Sequence, residues 1–139
     1  MLKFYHGTSH NNVDNIENNG IDTERGCGEL GQGFYLTDKA YEAFNWADMQ
    51  HGFHNKEVLE YTIEEEEFYN LEPLVLEYNR AVYYRNRIKE DAETCTFQFE
   101  ESLVWSNIVG VQGIYADQFK LESEDSVNCF EQNPRRRLQ

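Results

Sequence analysis

The chain has 139 residues, with 12 Lys and Arg against 26 Asp and Glu, a formal charge of −14 at pH 7. That length suits one domain whose core needs no metal or disulfide staple, and 40% hydrophobic with 14% aromatic residues excludes a disordered chain. So acidic a balance repels phosphate backbones, so nucleic-acid binding through a basic surface is not expected. No apolar run is long enough to span a membrane and no secretory signal heads the sequence, so a cytoplasmic protein is expected.

Residues 2–5 form a short apolar run that enters a turn at His6, Gly7 and Thr8. Residues 12–19 carry Val13 and Ile16 at helical spacing, with Ser9 or Asn11 as cap and Gly20 as stop. Residues 26–33 hold four glycines and read as a loop, and residues 34–36 as a strand. Thr37 or Asp38 would cap a helix over 39–49, where Ala40, Ala43, Phe44 and Ala47 recur every three or four positions. Residues 58–63 predict a strand from their β-branched and aromatic content.

The acidic run 64–67 reads as a solvated turn or exposed face, 68–76 as a strand and 79–90 as a helix with Ala81, Tyr84 and Ile88 inward. Further strands are expected at 94–99, 108–115 and 126–130, with a helical turn at 100–107. Arg135, Arg136 and Arg137 read as a solvated tail. Cys27, Cys95 and Cys129 show no C-x-x-C or Cys/His ligand spacing, so no metal site is expected and reduced thiols are the simplest account. Short strands mixed with helices give an α+β class rather than a βαβ repeat.

Two segments carry the chemistry. In the first, Tyr5-His6-Gly7-Thr8-Ser9, an imidazole stands beside a turn whose glycine lets a ligand approach the backbone. In the second, Gly33-Phe34-Tyr35-Leu36-Thr37 precedes a helical stretch bearing Trp46, eleven residues after Tyr35. Each alone is better read as structure: a core histidine, a glycine loop without phosphate-binding spacing, and core aromatics.

Together, in this order and spacing, they resemble the diphtheria-toxin-like ADP-ribosyltransferase superfamily, which includes the poly(ADP-ribose) polymerases. The resemblance covers roughly the first 50 residues. It implies a split β-sandwich with a few short helices and NAD, as substrate, in its cleft. His6 would bond an adenosine-side ribose hydroxyl, the Gly7 backbone would bind the nicotinamide carboxamide, Thr8 beside it would also contact NAD, and Tyr35 and Trp46 would sandwich the ring. Flat aromatic faces suit a cationic ring, and holding it still favours an oxocarbenium-like transition state. The family's third residue, a Glu opening a later strand, is matched locally by Gln112, with Glu100, Glu101 and Asp125 as other candidates. A glutamine can bond the hydroxyl but brings no charge.

The resemblance implies a mono-ADP-ribosyltransferase acting on a protein or other macromolecular acceptor, and a small domain of this kind looks like a bacterial or phage effector or toxin. A basic acceptor would complement the −14 charge. Water as acceptor would make it an NAD hydrolase. RNA 2′-phosphotransferases share the fold but want a basic surface that this composition lacks. Two other classes stand beside it: a non-catalytic NAD- or ADP-ribose-binding module, favoured by Gln112, and an acidic inhibitor or nucleic-acid mimic, favoured by the charge. Anionic NAD must bind against the average field, through local donors: the Gly7 turn, Thr8, Ser9 and Arg25.

Overall fold

The first strand, Leu2–Ser9 (β1), begins the computed structural model, which describes residues 1–110 and 113–138. Helix α1 (His10–Asn19) follows directly. Ser9 caps it by accepting from the Asn12 amide, and Gly20 ends it at φ 87°, a conformation open to glycine. After the glycine loop come β2 (Phe34–Thr37), α2 (Ala40–His51) and β3 (Lys56–Ile63). The helices and the later two strands stand close to where the hydrophobic periodicity places them, but the turn expected at His6, Gly7 and Thr8 is absent: β1 runs on through these residues to Ser9, paired with β3 along its whole length. The α2 cap differs: Lys39 occupies it without a side-chain bond.

The second half departs from expectation. The run 64–67 is an exposed face rather than a turn: Glu65, Glu66 and Glu67 form the solvated first turn of a short helix, α3 (Glu65–Tyr69). Carboxylates favour that end of a helix, where the free N–H groups lie. The strand expected over 68–76 shrinks to β4 (Leu74–Val75). Helix α4 (Tyr78–Glu90) stands as expected. Residues 94–99 form no strand. Their backbone bonds the glycine loop instead, with Gly28 N–H on Thr94 O at 3.1 Å and Gln32 N–H on Phe97 O at 2.8 Å.

Where a helical turn was expected, β5 (Leu103–Asn107) runs. The described part of 108–115 is not a strand, and β6 is Asp117–Leu121. Phe119 and Leu121 alternate there with Gln118 and Lys120, but the polar face is buried as well, with Gln118 and Lys120 5% and 0% exposed. Residues 126–130 lie in a helix, α5 (Glu124–Glu131), capped by Ser123, with Ser126 and Phe130 buried one turn apart. The arginine tail is instead an edge strand, β7 (Arg135–Leu138).

Among the described residues seven strands form one mixed sheet in the order β4-β5-β6-β2-β1-β3-β7, parallel only between β4 and β5. The chain is thus mixed α+β. The sheet nearly parts at its middle. β1 pairs with β3 at all eight of its positions, yet meets β2 at one, Tyr5 opposite Thr37. Strand alternation puts a core on each face. Phe4, Phe34, Leu59, Tyr61, Phe119 and Leu121 meet α1, α3 and α5 on one side, while Leu30, Leu76 and Val104 pack with Ala81 of α4 on the other.

β7 closes the outer edge and neutralises buried acids of β3. Arg136 Nε bonds Glu60 Oε1 at 2.7 Å, and Arg137 reaches Asp14, Glu17 and Glu57. The thiols also depart from expectation. Cys27 and Cys95, 68 residues apart, are joined in a disulfide, while Cys129 is free. No helix among the described residues is long and apolar enough to cross a membrane.

Candidate functional site

Where β1 and β2 part, a cavity of about 510 Å³ opens. That volume lies in the range of small-molecule pockets. His6, Gly7, Thr8, Tyr35 and Trp46, drawn from β1, β2 and α2, all line it, as does Arg25. So do Glu29, Glu42, His51 and Gln118, which the sequence motifs do not mark.

His6 is fixed on two sides. Its ring stacks on Phe34, with centroids 4.0 Å apart, and its Nδ1 lies 2.6 Å from the Tyr35 carbonyl oxygen. A carbonyl only accepts, so Nδ1 carries the proton and Nε2 is left as an acceptor. Burial pulls the imidazole pKa down to about 4, outweighing the carbonyl bond that raises it, so the ring is neutral at physiological pH.

Gly7 follows at the parting of the strands. On its outer edge it pairs with Val58 of β3, and no residue of β2 pairs with it. Its amide group is therefore beside the cavity. A Cβ here would collide with the Ala43 carbonyl of α2, so only glycine lets that helix lie this close. Thr8 Oγ1 accepts from Asn12 Nδ2 at 2.9 Å. Ser9, expected as a donor, does not line the cavity; its hydroxyl oxygen accepts the Asn12 N–H at the α1 cap.

Tyr35 is anchored by its hydroxyl in the glycine loop. The hydroxyl donates to Gly31 O at 2.6 Å and accepts from Leu30 N at 3.0 Å. Burial pushes its pKa well above the usual tyrosine value, so it stays a neutral phenol. The loop itself is fastened from below. Lys120, wholly buried, donates to Leu30 O at 2.6 Å and pairs with Glu122 at 2.5 Å. Across the cleft Trp46 is 49% exposed on α2, an aromatic face with room to cover a ligand.

Gln112 lies outside the described residues. Glu100, Glu101 and Asp125 do not line the cavity: Glu100 is exposed at φ 62°, Glu101 gives its N–H to Glu122, and Asp125 sits exposed in the first turn of α5. The polar side chain that the sheet does bring there is Gln118. Thr37 pairs with Tyr5 on one side and Gln118 on the other, so the three form one row across β1, β2 and β6. The only sign of this in the sequence is an amide set among strand-forming residues, which becomes legible once β6 adjoins β2. Glu42, also in the wall, has one carboxylate oxygen enclosed without a hydrogen-bond partner among the described residues, and burial raises its pKa.

No protein-family model matches the chain, and no curated protein is significantly similar to it.

Proposed function

We propose that the protein is a mono-ADP-ribosyltransferase of the split β-sandwich type, using NAD as its substrate. The observation that carries this reading is the convergence of His6, Gly7, Tyr35 and Trp46 on one cavity at the parting of β1 and β2. These four come from three separate elements, and a purely structural role for each would not require a shared cavity.

In this reading NAD lies along the opening. His6 Nε2 accepts from an adenosine-side ribose hydroxyl. The Gly7 backbone, with Thr8 beside it, holds the nicotinamide carboxamide, because an amide can exchange paired hydrogen bonds with a strand edge. Tyr35 and Trp46 take the two faces of the ring. Gln118 accepts from a hydroxyl of the nicotinamide ribose, the task first expected of Gln112. The glycosidic bond breaks with its electron pair leaving on the nicotinamide nitrogen. The ribose cation is then captured by a nucleophile of the macromolecular acceptor, which loses a proton. Arg25 at the cleft mouth supplies a local cation for the pyrophosphate against the net −14 charge.

The test is incubation with NAD labelled in the nicotinamide and in the adenine, using wild type, His6→Ala and Tyr35→Ala. The expected result is nicotinamide release by wild type, reduced roughly a hundredfold or more in each variant, since groups that act on the transition state carry effects of that size. Label on protein identifies transfer, and free ADP-ribose identifies hydrolysis. Undiminished release by both variants would overturn the site assignment. A rise in Tm with NAD but no release by wild type would make the protein a binding module instead.

A further inference from the structure

We infer that Glu29, in the glycine loop, is the positioning residue for Gln118 and supplies the negative charge that an amide lacks. This deepens the NAD reading above and rests on it.

Gln118 Nε2 lies 2.7 Å from Glu29 Oε1, 3.1 Å from Asn107 O and 3.3 Å from Ser106 Oγ. A carboxylate and a carbonyl can only accept, so the amide nitrogen must face them. The opposite flip would set the amide oxygen against two oxygens, one of them charged. Gln118 Oε1 is thereby turned away, and among the described residues no donor is bonded to it. An acceptor held in one orientation on a cavity wall is what a ribose hydroxyl needs.

Glu29 is itself held. Its Oε1 also accepts the Val109 N–H at 2.9 Å, its Oε2 lies 3.9 Å from Arg85 Nε, and its side chain is 17% exposed. A carboxylate built into the wall, one hydrogen bond behind Gln118, places negative charge near the developing ribose cation. Such preorganised charge counts most where water is excluded. The loop thus carries Glu29 into the site while Tyr35 and Lys120 fasten it at Leu30 and Gly31.

The test uses the whole chain, with nicotinamide release and side-chain amide exchange as readouts. Glu29→Gln keeps the shape and removes the charge. Its kcat should fall roughly ten- to hundredfold while KM for NAD and Tm stay near wild type. Gln118→Glu sets two carboxylates together and should lose activity, and Glu29→Gln with Gln118→Glu restores the pair in reverse and should recover part of it. In NMR spectra the Gln118 NH2 protons should exchange slowly, and Glu29→Ala should speed that exchange while Asn107 O and Ser106 Oγ keep part of the protection. An unchanged kcat in Glu29→Gln, or unprotected Gln118 protons in wild type, overturns this inference and leaves the NAD reading standing. Wild-type protein that neither binds NAD nor releases nicotinamide overturns both.

Discussion

Breaking the Cys27–Cys95 disulfide should lower stability sharply without dissolving the fold. The bond closes 68 residues of chain, from the glycine loop past α4. Tying a loop of that length removes about 4 kcal/mol of conformational freedom from the unfolded state in the chain-entropy account. A chain of this size unfolds with an entropy of roughly 0.3 kcal/mol/K, so the expected fall in Tm is on the order of 10–15 °C. The native contacts nearby do not depend on the bond. Gly28 N–H to Thr94 O and Gln32 N–H to Phe97 O still join the two segments, so the reduced protein should keep its native circular dichroism at low temperature. Melting curves with and without dithiothreitol measure the effect, and Cys27→Ser with Cys95→Ser should reproduce it. Cys129 serves as an internal count: unfolded in denaturant, the oxidised chain should show one thiol and the reduced chain three. Three thiols without reductant, or a Tm shift below about 3 °C on reduction, would refute the reasoning.

Acidification should destabilise the protein through His6. Its folded pKa of about 4 lies below the ordinary 6.5, so the unfolded chain binds the proton first. The contribution is present in full above the ordinary value and is lost as pH falls toward the folded one, a swing of about 3 kcal/mol. Urea titrations across that window should show it, and His6→Gln should flatten the curve. Gly7→Ala should cost about 1–3 kcal/mol by pushing α2 off β1, and NAD should no longer raise its Tm. Arg136→Ala should lower the urea midpoint at neutral pH, since Arg136 holds the Glu60 carboxyl below its usual pKa. The stabilisation exists above the ordinary carboxylate pKa and is lost as pH falls, so the variant's deficit should vanish in acid. A deficit independent of pH would assign Arg136 a packing role instead.

The sequence by itself determined most of the elements in the first 63 residues, where local rules and tertiary demands agree; the turn expected at His6–Thr8 and the free thiol expected at Cys27 are the exceptions. Val13 and Ile16 at helical spacing, Ser9 before them and Gly20 after them specify α1 with no outside help. The pair His6-Gly7 and Tyr35, with Trp46 eleven residues on, is also a local pattern, which is why half of the candidate site could be named early. Only the tertiary structure decided the rest, because there the side chains answer to distant partners. Lys120 and Gln118 look like the solvated face of an alternating strand until Leu30, Glu122 and Glu29 meet them, so nothing local says that β6 is buried on both faces. Three successive arginines look solvated until β3 offers Glu57 and Glu60 from the buried side of an edge. Glu29 and Gln118, 89 residues apart, share a site only because β6 joins the sheet beside β2. Pairings across such distances are set by strand order, and strand order is decided by the whole core rather than by any one segment.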